Sequence, residues 1–193
     1  MFEGSATVVS SDDETLVVLA RAGDQVAREE LFRRHWDRSY RLAKRLLGRE
    51  EDALDAVQDG FLKALNHLER FDGRCEFSTW LCRIVQNAAL DLGRNRSRRT
   101  NVGLKVVTAN GEEPEKLDDP SVGLVNDDLR MELDAALARL SPSLRSAFVL
   151  FAESELSYKE IAEIQGVPVG TVMSRIHAAR QKLQSYLSRR SDL

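Results

Sequence analysis

Residues 52–99 read DALDAVQDGFLKALNHLERFDGRCEFSTWLCRIVQNAALDLGRNRSRR. This stretch predicts two amphipathic helices joined by a tight loop at Asp72-Gly73-Arg74. In the first helix Leu54, Val57, Phe61, Leu65 and Leu68 recur at helical spacing and are expected to face a core. Asp55, Gln58, Asp59, Leu62 and Asn66 fall on another face. In the second helix Ser78 is the expected N-cap, and Trp80, Leu81, Ile84, Val85, Ala88 and Leu92 are expected inside. Arg83, Asn87, Asp91 and Arg94 lie three or four residues apart and share an outward stripe. After Gly93 the chain turns basic, with Arg94, Arg96, Arg98 and Arg99. One acidic helix face and one basic helix end, held by a short loop, imply two different partners on a single rigid unit.

The remaining numbers bound what surrounds this unit. The chain has 193 residues, 42% hydrophobic and 31% charged, enough for one ordinary domain or two small ones. Its formal charge is -3, so the whole chain is not a basic nucleic-acid binder, and the distribution of charge carries more than its sum. No apolar run reaches the ~18 residues a membrane span needs. The N-terminal MFEGSATVVSSDDE lacks the basic start and apolar centre of a secretory signal, so a cytoplasmic location is expected. Cys75 and Cys82 are then free thiols. With His67 they make an incomplete zinc set, so no metal and no cofactor is expected.

Upstream, Asp12 or Asp13 can cap a short helix through Leu16, Val17, Leu19 and Ala20, stopping at Gly23-Asp24. A longer helix is predicted from Gln25 to Leu47, closed by Gly48, with Leu31, Phe32, Tyr40, Leu42, Ala43, Leu46 and Leu47 largely on one side. Arg33, Arg34, Arg38, Arg41, Lys44 and Arg45 cover the rest and read as a solvated face. From Thr100 to Asp128 the helical period disappears. That segment has two Pro, three Gly and an acidic balance, and reads as a flexible linker between domains, with at most a weak strand at Leu104–Val107.

Beyond it, Leu129, Leu133, Ala136, Leu137 and Leu140 form one stripe, and Leu144, Ala147, Phe148 and Phe151 the next after Ser141-Pro142. Ser157 and Glu160 match a capping box that opens a third helix. Gln165-Gly166-Val167-Pro168 is a turn, and a last helix runs from Val169 to about Arg189, with Val172, Ile176, Ala179, Leu183 and Leu187 inward. The fold class is therefore all-α: two small helical domains, 12–99 and 129–190, joined by a flexible acidic linker, 100–128.

Residues 157–182 have the order of a helix-turn-helix. The first turns of its second helix would enter a major groove, aiming Thr171, Ser174, Arg175 and Ala178 at base edges or phosphates. Arg180, Lys182, Arg189 and Arg190 extend a basic surface. Arg83, Asn87 and Arg94, with Phe71, Phe77 and Trp80 nearby, suit unpaired DNA, whose bases stack on aromatic faces while arginines hold phosphates. Trp80 itself reads as core. Asp55 and Asp59 sit on an exposed helix with no histidine or nucleophile beside them, so they read as a protein-binding face and not as catalytic carboxylates. The chain carries no Gly-rich phosphate loop, and no enzymatic activity is expected.

At this point the motifs resemble a family, the bacterial RNA polymerase sigma factors of the extracytoplasmic-function (group four) type of the sigma-70 family. The resemblance spans Leu16 to Leu187. GDQVAREELFRRH looks like the start of sigma region two, and EDALDAVQDGFLKAL like the part that docks on the polymerase beta-prime clamp. FDGRCEFSTWLCRIVQNAALDLGRNRSRR is similar to the part that melts and reads the minus-ten element. LSPSLRSAFVLFAESELSYKEIAEIQGVPVGTVMSRIHAARQKL is similar to region four, which reads the minus-thirty-five element.

The resemblance implies that Asp55, Gln58, Asp59 and Leu62 contact core polymerase. It implies that Asp72, Arg83 and Asn87, with Arg94, Arg96 and Arg98, hold the melted strand and a flipped base. It places Thr171, Ser174, Arg175 and Arg180 on the upstream duplex, and adds contacts to the beta flap and possible control by an anti-sigma factor. No fused regulatory module is expected after Leu193. The alternative is a freestanding helix-turn-helix regulator, which would leave residues 52–99 without a task.

Overall fold

A computed structural model describes the backbone of residues 11–103, 124–154 and 156–191, and the side-chain environments of 11–96, 129, 131–154 and 156–188. The described residues form α-helices and one short 3-10 turn, with no strand among them. The weak strand expected at Leu104–Val107 lies outside them.

The first domain holds α1 (Asp13–Arg21), α2 (Gln25–Leu47), α3 (Glu50–Asn66) and α4 (Phe77–Gly103). Asp12 caps α1 by accepting from the Thr15 amide at 2.8 Å, and Asp24 caps α2 by accepting from Val26 and Ala27. Gly48 ends α2 with φ 80, a left-handed position that glycine takes without strain. The Arg21 Nε donates to the Leu68 carbonyl, and His35 meets Asp13 at 2.7 Å, so α1 is pinned across α2 and the 3-10 turn at Leu68–Arg70.

The most extensive helix contact is α3 against α4, with α2 packed on both. The buried side of α3 is Ala53, Ala56, Val57, Gly60, Phe61 and Ala64. This rotates the expected stripe: Val57, Phe61 and Leu68 are inside, but Leu54 is 40% exposed and Leu65 only half-buried. The small residues are what let α4 come close. A Cβ built on Gly60 would lie 2.9 Å from Val85 Cγ2 and 3.1 Å from Val85 Cα.

Two boundaries differ from the sequence reading. α4 begins at Phe77, not after Ser78; the Trp80 amide donates to the Glu76 carbonyl, and Ser78 is buried in the first turn. α4 also runs through Gly93 to Gly103, and α5 starts at Leu124, so both ends of the expected 100–128 linker are helical. Gly93 faces only Leu47 Cδ2 at 3.5 Å and has no reason to break the helix. Residues 104–123 lie outside the description.

The second domain holds α5 (Leu124–Ala138), α6 (Pro142–Glu153), α7 (Tyr158–Gln165) and α8 (Val169–Ser191). α5, α6 and α7 all pack on α8. Ala136, Leu137, Leu140, Ala147, Val149, Leu150, Ile161, Val172, Ile176, Ala179 and Leu183 are buried, whereas Leu129, expected inside, is exposed. Ser157 accepts from the Glu160 amide and the Glu160 carboxylate accepts from the Ser157 amide, the predicted capping box. Gly166 turns the chain with φ 64.

The arginine-rich side of α2 is not a plain solvated face. Glu30, only 5% exposed, accepts from Arg33 and Arg34 at 2.7–2.8 Å. Arg33, followed by Arg34, holds its carboxyl down at about 2. Arg41 and Arg45 reach Glu153 of the second domain, and Arg45 also pairs with Asp134.

The Gly60 contact sets a test. Alanine normally stabilises a helix interior over glycine by ~1 kcal/mol. At Gly60 the close Val85 backbone should reverse that sign, giving a net loss of about 1–2 kcal/mol in urea unfolding for Gly60→Ala. Gly93→Ala should be neutral or stabilising, because it meets only a side-chain methyl at ordinary distance. Equal effects of the two substitutions would contradict the close α3–α4 approach.

Candidate nucleic-acid and partner interface

The α3–α4 pair presents two separate surfaces. Asp55, Gln58, Asp59 and Leu62 are all exposed along the outer side of α3. Asp59 pairs with Lys63 at 2.7 Å, a solvent-exposed pair of little energetic weight. Leu62 is 55% exposed and Leu54, two turns before it, is 40% exposed. The face therefore combines carboxylates with two leucines, a composition suited to a protein partner more than to water alone. Sequence periodicity assigned Leu54 to the core. The signal that corrects it is the alanine–glycine series at 53, 56, 60 and 64, which marks a closer-packed side one position away.

The loop and α4 carry the other surface. Gly73 takes φ 72, and Asp72 accepts from the Arg74 amide at 3.2 Å while pairing with its guanidinium at 3.0 Å. Phe71, Phe77 and Trp80 pack edge-on or tilted against one another with ring centroids 5.3–5.8 Å apart. Phe71 and Phe77 are buried and Trp80 half-buried, so this cluster anchors the loop to α4, as the core reading of Trp80 expected. Arg83, Asn87, Asp91 and Arg94 are exposed on one side of α4, the predicted stripe. Arg94 pairs with Asp91 at 2.9 Å, and Arg96 reaches back to Asp52 on α3. The side chain of Arg98 lies outside the described residues.

An open groove of about 480 Å³ between α3 and α4 is lined by Asp59, Lys63, Ala88, Asp91, Leu92, Arg94 and Asn95. It joins the two surfaces but holds no buried set of titratable groups of the kind catalysis uses. Among the described residues no group of His, Cys, Asp or Glu is arranged to hold a metal ion. Burial raises the thiols of both Cys75 and Cys82, which keeps them protonated and unreactive at neutral pH.

In the second domain Thr171, Ser174 and Arg175 lie together at the start of α8. Ser174 is exposed and its hydroxyl donates back to the Thr171 carbonyl. The Arg175 Nη1 donates to Gln165 Oε1 at 2.9 Å, and Gln165 Nε2 donates to the buried Ser146 hydroxyl at 3.0 Å. Arg180 is not brought to this group. It lies about two and a half turns beyond Thr171, on the opposite side of the helix, with its guanidinium 4.9 Å from the Phe151 ring centre. Lys182, three turns from Thr171, lies on the same side as Thr171 and Arg175 and is exposed.

The domains also touch. Arg145 Nη1 donates to the Leu46 carbonyl at 3.0 Å, while its other nitrogens serve the Leu137, Ala138 and Leu140 carbonyls. Burial lowers the pKa of this guanidinium. Thr79 Oγ1 donates to Glu160 Oε1 at 2.8 Å, and Cys82 faces Ser154 at 3.9 Å. None of these cross-domain contacts has a periodic signal in the sequence.

A helix-turn-helix in one domain, and an arginine-bearing stripe beside an acidic face in the other, are features suited to a protein that meets both DNA and a protein partner. Residues 31–99 match the family model Sigma-70 region 2, and residues 130–183 match Sigma-70, region 4. The chain is 39% identical to the ECF RNA polymerase sigma factor SigE of Mycolicibacterium smegmatis over 99% of this chain and 75% of that protein. It is 32% identical to the ECF sigma factor SigW of Bacillus subtilis, over 86% of this chain and 92% of that one.

Among solved structures, the sigma factor RpoE in complex with the anti-sigma factor NepR from Bartonella quintana superposes with a TM-score of 0.67 at 26% identity, covering 83% of this chain and 96% of that one. CnrH in complex with the cytosolic domain of CnrY gives 0.67 at 29% identity, covering 92% and 97%. The chain belongs to the sigma-70 family, in its extracytoplasmic-function branch. It is a transcription initiation factor that directs core RNA polymerase to promoters, and not an enzyme.

Proposed function

We propose that the two surfaces of the α3–α4 pair divide the work of initiation. The α3 face of Asp55, Gln58, Asp59 and Leu62, extended by Leu54, docks on the beta-prime clamp of core polymerase. The loop at Asp72 and the α4 stripe of Arg83 and Asn87, continued by Arg94, Arg96 and Arg98, hold the melted minus-ten strand. Thr171, Ser174 and Arg175, with Lys182 behind them, meet the minus-thirty-five duplex, and Arg180 supports α8 against Phe151 instead of touching DNA. Residues 12–99 thus act as the downstream-reading domain and 129–190 as the upstream-reading one.

The observation that carries this reading is that the acidic–apolar and basic faces lie on different helices of one tightly packed pair. Such a unit holds polymerase and DNA at a fixed separation without either partner touching the other's face. Phosphate-seeking arginines supply non-specific attraction, while amide and hydroxyl groups supply selectivity. Among the described residues no helix is long and apolar enough to cross a membrane, and a cytoplasmic location fits a factor that works on DNA. The 104–123 segment follows the domain that holds the melted strand, which suits a path through the polymerase cleft. An anti-sigma factor is a partner of the similar Bartonella protein, and we extend that partnership to this chain.

Charge reversal of the docking face tests the reading. Asp55→Lys with Asp59→Lys should abolish co-purification with core polymerase while leaving circular dichroism unchanged, since both residues are exposed. Retention of polymerase by this variant would place the docking face elsewhere.

A further inference from the structure

We propose that Gln165 is a positioning residue for promoter reading: it fixes the Arg175 guanidinium through a chain of hydrogen bonds anchored in the core. This rests on the assignment of Arg175 to the upstream duplex. Gln165 ends α7 just before the turn at Gly166, φ 64, and its amide bridges the two packed helices of the helix-turn-helix. Its Nε2 donates to Ser146, a hydroxyl that is 3% exposed, and its Oε1 accepts from Arg175 Nη1. The orientation of the amide is therefore settled by one partner on each side.

A free arginine side chain loses considerable rotamer entropy when it fixes on a base. A guanidinium already held at Nη1 loses less, and keeps Nη2 and Nε to meet the two acceptors of a guanine edge. Gln165 thereby raises discrimination at one base pair without touching DNA.

The test uses the full chain bound to core polymerase on a template pool with a randomised upstream element, with transcripts sequenced. Arg175→Ala should erase base preference at one position, by roughly fivefold to a hundredfold. Gln165→Leu should weaken preference at that same position, and Gln165→Glu, which still accepts from arginine, should restore most of it. Loss spread evenly over all positions in Gln165→Leu, or no loss at all, overturns the proposal. If Arg175→Ala changes no position, the assignment of Arg175 itself falls.

Discussion

The close approach of α3 and α4 at Gly60 is the constraint on which the first domain depends. Val85 lies against the glycine so tightly that even a methyl group would displace it. The alanines at 53, 56 and 64 and Val57 are buried on the same helix, and Phe61 packs on Phe32 and Trp36 of α2. Close packing of this kind makes the pair behave as one body. A partner bound on α3 and a strand bound on α4 are then held in a fixed relation, which is what a factor presenting DNA to a polymerase requires. It also explains how a chain of net charge -3 acts on DNA. Within the pair, α3 carries Glu50, Glu51, Asp52, Asp55 and Asp59 while α4 carries Arg83, Arg94, Arg96, Arg98 and Arg99, so the sum over the chain hides two local fields of opposite sign.

The second domain meets a different constraint. Its reading helix is supported from behind by Val172, Ile176, Ala179 and Leu183, and from the side by the Arg180–Phe151 contact. Thr171, Ser174 and Arg175 form a short run at the start of α8. The hydrogen-bond chain from Ser146 through Gln165 to Arg175 links that run to the core. Arg145 does comparable work at the domain boundary. Its half-buried guanidinium is tolerated because four backbone carbonyls accept from it.

Much of this was legible in the sequence because it is local. The first cap, narrowed to Asp12 or Asp13, the capping box at Ser157, the glycine stop at Gly48 and the exposed stripe of Arg83, Asn87, Asp91 and Arg94 follow from spacing alone. Leu54 misled because a leucine stripe looks more like a core than an alanine–glycine one. Only the partner helix reveals that the smaller residues are the contact. Ser78 misled because a good capping residue was preceded by Phe77, whose ring packs on Phe71 and Trp80 and draws the helix start back. Arg41 and Arg45 read as solvated because their acidic partners, Asp134 and Glu153, are about a hundred residues away in sequence. Long-range pairing of this kind has no periodic signature. Arg180 was grouped with Arg175 by charge, whereas helical phase puts the two on different sides of α8.

The division of labour within the α3–α4 pair is tested most directly by site-specific photocrosslinking in the promoter complex with polymerase. A crosslinking side chain at Gln58 should capture the beta-prime subunit and no DNA. The same group at Asn87 should capture the non-template strand near the minus-ten element and little protein. Capture of DNA from position 58, or of the same partner from both positions, would contradict the assignment of separate tasks to the two helices.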